Sequence, residues 1–236
     1  MKLPAATGLR RLGRRAARAA LVAVLALVFS SVLAVALLRF VDPPTSAFML
    51  QRRLAAWRQG EPFTLHHRWV PLAGISPNLQ AAVVAAEDQK FASHFGFDVE
   101  AIGDAVEEHL EGRSSRGAST LTQQVAKNLF LWPAHSLLRK GLEAYFTVLI
   151  EALWPKHRIL EVHLNLAEWG PGVFGAEAAS RAWFKKSAAA LTPEEAAALA
   201  ATLPAPRSRN PTAPSPQVRA RMDWIEEQAT HVKLDW

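Results

Sequence analysis

Glu87 and Asp88 close an apolar run, Ala81-Ala82-Val83-Val84-Ala85-Ala86, and a polar, aromatic, glycine-bearing turn follows through Asp98. A carboxylate at the tip of an apolar helix suits general acid or base work. Desolvation raises its pKa, and a rigid helix fixes its position. Taken alone, an acidic pair at a helix end reads first as a solvated terminus.

Other residues invite chemistry more weakly. Ser119 and Thr120 precede a third helix, and Thr120 and Gln123 have capping-box spacing. The first turn of that helix would offer free N–H groups to a phosphate oxygen, although an ordinary cap explains the same residues. Arg139 and Glu143 stand four apart, the spacing of a surface salt bridge. His66-His67 cannot face one way on a helix or strand, and no Glu stands at metal-motif spacing, so a metal site is not indicated there. The chain has no Cys, which excludes disulfides and thiolate metal sites.

The elements that must position these groups follow from pattern. The chain has 236 residues and a formal charge of +6. Its pI near 10.1 points to an anionic partner such as lipid, pyrophosphate or nucleic acid. Much of the excess charge lies in residues 1–18, a basic tail expected to be cytoplasmic. Residues 19–38 carry no charge, Pro or Gly, and twenty helical residues rise about 30 Å, enough to cross a bilayer. The preceding arginines place the rest of the chain outside. A cleaved signal peptide is the rival, but its Ala34-Val35-Ala36 site would fall inside the apolar run.

Asp42-Pro43-Pro44 ends that helix. Residues 39–68 read as a membrane-proximal linker with an amphipathic helix over Ala47 to Arg58, whose apolar members are Phe48, Leu50, Leu54 and Trp57. It is expected to pack on the domain over lying on the membrane. Residues 69–236 then read as one domain. Helices are expected from Ser76-Pro77 to Glu87, from Asp98 to Leu110, from Thr120 through Asn128, from Leu137 to Leu153, and from Pro155 through Leu166. Three more are expected over Ala176 to Phe184, from Thr192 to Leu203, and from Gln217 to Ala229. Gly112 to Gly117 is a basic loop, and Leu129 to Trp132 is strongly apolar. No alternating run exceeds a few residues, so the fold is mainly α.

Three ordered blocks resemble the glycosyltransferase domain of bacterial peptidoglycan synthases, glycosyltransferase family 51. The first is Glu87-Asp88-Gln89-x-Phe91-x-x-His94-x-Gly96-x-Asp98. The second runs from Arg116-Gly117-Ala118-Ser119-Thr120 through Gln123-Gln124 to Lys127-Asn128. The third begins Arg139-Lys140-x-x-Glu143 and continues through Ile159-Leu160-Glu161-x-x-Leu164-Asn165 and the Gly170–Gly175 turn to Ala178-Ala179 and Phe184. The likeness covers about Trp69 to Leu203. The single anchor and the early C-terminus resemble the stand-alone, monofunctional type. Bifunctional relatives carry a penicillin-binding transpeptidase domain, and no Ser-x-x-Lys or Lys-Thr-Gly for one occurs here.

The resemblance implies a lysozyme-like, two-lobed helical domain on a single transmembrane helix in the cytoplasmic (inner) membrane, with its catalytic part periplasmic. It implies that lipid II is joined to a lipid-linked glycan chain: the GlcNAc 4-hydroxyl attacks C1 of the terminal MurNAc, undecaprenyl pyrophosphate leaves, and a β-1,4 bond forms with inversion. Glu87 matches the general base and Glu143 the second essential Glu, on the pyrophosphate side. Lys90, Ser119, Gln123, Gln124, Lys127, Asn128, Arg139 and Lys140 match the substrate and pyrophosphate contacts. The resemblance makes no cofactor certain, and a divalent cation such as Mg2+ at Glu143 stays open. Asp88, His94 and Asp98 are expected to hold the turn together. The implied partners are the lipid substrates, membrane lipids and other cell-wall synthases. Nucleic acid is not among them, because the basic run precedes a membrane helix and no recognition motif occurs.

One departure stands out. Relatives carry an Arg a few residues before the Arg-Lys pair, where this chain has His135, which lacks a guanidinium fork and is mostly neutral at pH 7. His135→Arg should maintain or raise glycan-forming activity above pH 7. A clear loss would mean that the position does not face the donor. Two rivals remain: a lysozyme-like lytic hydrolase, which would shorten finished glycan, and a catalytically weak, membrane-anchored scaffold of the wall-synthesis machinery.

Overall fold

The computed structural model describes residues 5–111, 119–134 and 136–234, with the side chains of 5–12, 106, 109 and 110 also left aside. Arg116 and His135 therefore lie outside the described residues. The chain divides into two compact units, one ending at Val41 and one starting at Asp42.

The first unit is one helix, α1 (Ala5–Leu38). Its stretch Gly13–Leu38 is long and apolar enough to cross a membrane. It begins earlier than the apolar run alone suggests, because arginine and alanine are good helix formers and let the helix extend back through the basic tail.

The second unit is mainly helical, as expected. α2 (Ala47–Gln59) is capped by Ser46 and ends on Gly60 in the left-handed conformation. Strand β1 (His66–His67) follows, then α3 (Pro77–Glu87), α4 (Val99–Leu110), α5 (Leu121–Phe130), α6 (Leu137–Leu153) and α7 (Lys156–Leu166). A small hairpin of β2 (Glu168–Gly170) and β3 (Val173–Phe174) leads to α8 (Ala176–Phe184), α9 (Pro193–Thr202) and α10 (Pro216–Ala229). β3 pairs antiparallel with β2 and parallel with β1. The segment read as a linker thus belongs in part to the unit that starts at Asp42: α2 packs on α5, and β1 joins the sheet.

The α2 face differs from the expected one. Met49 and Ala56 are buried, and Phe48 meets Phe174 edge-on. Leu50, Leu54 and Trp57 face outward, Trp57 being 77% exposed. Polar groups explain the rotation, since Gln51 donates to the Leu131 carbonyl at 2.7 Å and Arg52 reaches Glu168 at 3.2 Å. These bonds turn the helix so that Met49 and Ala56 meet the core.

The core that carries the site is the packing of α3 against α9 and α10, and of α5 against α6 and α7. α9 is buried from Ala196 to Thr202, and its alanines allow close approach. Trp169, Phe91 and Phe174 are the largest fully buried side chains. Burying such aromatic surface is the main source of stability in a domain of this size.

Candidate active site

Glu87 is the last residue of α3, and Asp88 caps that helix. The two carboxylates part company at once. Asp88 is buried, with one oxygen taking His94 Nε2 at 2.8 Å and the other the Leu121 N–H at 2.9 Å. The Gly96 N–H donates to His94 Nδ1, which leaves Nε2 as the protonated nitrogen that serves Asp88. Asp98 caps α4 by accepting from the Ala101 N–H. The three polar residues of the turn are thus spent on holding it.

The turn is pinned from outside as well. Gly96 has φ +78°, and a Cβ there would meet Thr147 Cγ2 at 2.7 Å. Thr120 donates to the Gly96 carbonyl at 2.7 Å. Lys156 donates to the His94 carbonyl and to Glu151, and stands over the Phe91 ring.

The start of α5 corrects one expectation. Two of its first-turn N–H groups are already taken within the chain. Leu121 N–H is taken by Asp88 and Gln123 N–H by Thr120 Oγ. The capping box is complete, because the Gln123 side chain accepts from the Thr120 N–H. A carboxylate one residue past α3 fills the role that a phosphate would have had. Gln123 is buried and lines neither hollow described below.

Asp88 anchoring Leu121 brings Gln124, one turn further on, against Glu87: Gln124 Nε2 donates to Glu87 Oε2 at 3.0 Å. Glu87 is largely withdrawn from water, and burial pushes its carboxyl above the ordinary range. The Gln124 hydrogen bond, and after it the Arg221 charge, pull partly the other way. A carboxylate so placed accepts a proton more readily than an exposed one, which is what a general base needs.

Two hollows meet at this pair. One, of about 530 Å³, is lined by Glu87, Lys90, Ser119 and Trp224, with acidic residues of α4 on its far wall. The other, of about 520 Å³, is lined by Gln124, Lys127 and Asn128 on α5, and by Arg207 after α9. Lys90 is paired with Glu100 at the rim of the first.

A model of the family described as Transglycosylase matches residues 55–230. A biosynthetic peptidoglycan transglycosylase of Xanthomonas campestris pv. campestris (strain 8004) is 51% identical over 220 residues, 93% of this chain and 89% of that one. The chain belongs to the transglycosylase family. Biosynthetic peptidoglycan transglycosylases of Pseudomonas syringae pv. syringae (strain B728a) and Shewanella oneidensis are 55% and 53% identical, over 84% and 87% of each chain.

The third motif block of this transglycosylase gives a correction. Arg139 and Glu143 are not a surface pair: Glu143 is 2% exposed and Arg139 is buried with it. Arg139 Nη1 lies 2.5 Å from one Glu143 oxygen, and Lys140 Nζ bonds the other. The spacing along α6 gave proximity, but the packing of α5 on α6 decided burial. The triad lines neither of the two hollows.

Both oxygens of Glu143 therefore take cationic donors already. No cluster of three carboxylate or imidazole ligands occurs among the described residues. The donor set does not fit a divalent cation at Glu143.

Two residues escaped the sequence reading. Arg221, on α10, reaches Glu87 at 3.4 Å from 134 positions away. Trp224 lines the Glu87 hollow from the same helix. No local spacing signals either, since both depend on where α10 docks.

Proposed function

We propose that this transglycosylase is a peptidoglycan glycosyltransferase that polymerises lipid II on the outer face of the cytoplasmic membrane. The observation that carries the reading is the Glu87–Gln124 hydrogen bond, with a carboxylate hollow on one side and a cationic hollow on the other. The base and the leaving-group charge are thereby close but separate.

Glu87 takes the proton of the acceptor GlcNAc 4-hydroxyl. The oxygen forms its bond to C1 of the donor MurNAc as the C1–O bond to the pyrophosphate breaks on the opposite face. The pyrophosphate leaves with the bonding electrons, and the α-linked donor gives a β-1,4 product. Lys127 meets the charge that develops on the leaving group. It is exposed in the second hollow, where Glu168, held by Arg52, is the one carboxylate among the described lining residues. Trp224 offers a flat apolar face to a sugar ring beside Glu87.

The Gly13–Leu38 span supports a membrane-anchored enzyme with its basic N-terminus cytoplasmic. Anchoring keeps the domain beside lipid-linked substrates. Membrane lipids around α1 and other wall synthases are the further partners in this reading.

The test is glycan-chain formation from purified lipid II by the full chain in detergent. The expected product is a polymer that a muramidase digests. Shortening of finished glycan without polymer would favour a lytic hydrolase. Lys127→Ala should slow polymerisation at subsaturating donor by about ten- to a hundredfold, the worth of one charge-assisted hydrogen bond. Lys127→Arg should recover part of it. An unchanged rate in Lys127→Ala would remove this residue from the donor side.

A further inference from the structure

We infer that Arg221 is a positioning residue, which holds the Glu87 carboxylate in the ionised and aimed state that a general base requires. The inference rests on the proposed transfer reaction. It adds to that reading a residue outside the three motif blocks, supplied by the last helix of the fold.

The geometry starts with α3. The final carbonyls of a helix have no intrahelical partner and form its negative end. Glu87 sits at that end, largely withdrawn from water, next to Asp88. All three conditions disfavour a charged carboxylate. Arg221 Nη2 donates to the Ala86 carbonyl at 3.2 Å and to Glu87 Oε1 at 3.4 Å. One guanidinium nitrogen thus satisfies a helix-end carbonyl and faces the catalytic carboxylate. Gln124 takes the other oxygen, Oε2. The carboxylate is gripped from α5 and α10 at once.

The guanidinium bears a cost that the fold alone does not offset. Its Nε is buried without a partner. A desolvated, unpaired donor in a folded protein calls for a reason, and service to a reacting group is one.

The other charged groups around Glu87 do not replace Arg221. Asp88 opposes ionisation, and its oxygens are occupied by His94 and the Leu121 N–H. Arg209 acts from further off, with its Nη1 given to the Ala201 carbonyl. Across the hollow, Lys90 is bound to Glu100, while Asp98, Asp104, Glu107 and Glu108 add negative charge.

The sign follows. Burial raises the Glu87 pKa, and the Gln124 bond and Arg221 lower it. Removing the cation leaves burial less opposed, so the base protonates at higher pH. The acid limb of the rate profile then moves up in pH.

The experiment compares wild type, Arg221→Met and Arg221→Lys as full chains. Initial rates of chain formation from lipid II are read from about pH 5 to about pH 9. In parallel, glutamate labelled with 13C at the side-chain carboxyl is titrated by NMR, with Glu87 assigned through its loss in Glu87→Gln. For Arg221→Met we expect a deficit of about tenfold near pH 6 that narrows toward pH 8, as for a base near its titration range. The Glu87 midpoint should move upward, and Arg221→Lys should stay near wild type in both readouts. An equal deficit at every pH with an unmoved Glu87 midpoint would overturn the inference and leave Arg221 as a cap of α3. If wild type forms no polymer, the transfer reading fails, and the carboxyl titration alone still decides whether Arg221 holds Glu87.

Discussion

Glu87→Gln is expected to abolish glycan-chain formation and to leave the domain folded. The two side chains are nearly the same size, so the packing around α3 is kept. The amide oxygen can still accept from Gln124 Nε2, which now holds Glu87 at 3.0 Å. What is lost is the capacity to take a proton. General base catalysis contributes about 10²- to 10⁴-fold, so polymer should fall by at least two orders of magnitude. Stability should move the other way. A carboxyl whose folded pKa is raised favours the fold below its unfolded pKa, and that contribution is lost as pH rises through the folded value. At neutral pH the ionised Glu87 therefore costs stability, and the neutral amide relieves it. The expected pair of results is no polymer, with a melting temperature equal to or above wild type at pH 7. Polymer at the wild-type rate would sink Glu87 as the base.

Glu143→Gln is expected to cost both stability and activity. The change keeps volume but strips charge from the centre of a buried triad. Arg139 is then left buried without its counter-ion, since its remaining bond is from Nε to the Ala134 carbonyl. Breaking one side of a buried ion pair costs about 3–5 kcal/mol. Half-exposed Lys140 can turn to solvent, so the lower half of that range is the better expectation. Denaturant unfolding of the full chain in detergent reads the cost directly. A change under about 0.5 kcal/mol, the size of a surface substitution, would mean that the triad is not the buried unit described here.

Local rules made most of the fold readable from sequence. Ser76, Thr120 and Thr192 cap α3, α5 and α9 because a cap is decided within three or four residues. The bounds of α6 and α8 follow from the same logic, with Ser136 and Gly175 just outside them. The candidate site was legible in its residue types and less so in its wiring. Glu87 stood out as a carboxylate on an apolar helix, but its bond to Gln124 spans 37 positions and depends on Asp88 seizing the Leu121 N–H. The same capture takes one of the N–H groups that pattern alone offered to a phosphate. Arg139 and Glu143 show the limit of spacing: four residues along a helix fix who meets whom, and only tertiary packing fixes how much water remains. Leu50, Leu54 and Trp57 show it again, since side-chain hydrogen bonds from Gln51 and Arg52 turned α2 away from its most apolar stripe.

The docking of α10 on α3 and α9 has a consequence for the order of events during synthesis. Translation runs from N- to C-terminus, so α3 leaves the ribosome long before α10 exists. Until then the Ala86 carbonyl and Glu87 lack the guanidinium that arrives 134 positions later. α1 also precedes α3 in the chain, so an anchor of the proposed kind would be synthesised before Glu87 reaches its final surroundings. The surroundings proposed for the base are thus complete only once α10 has docked on α3.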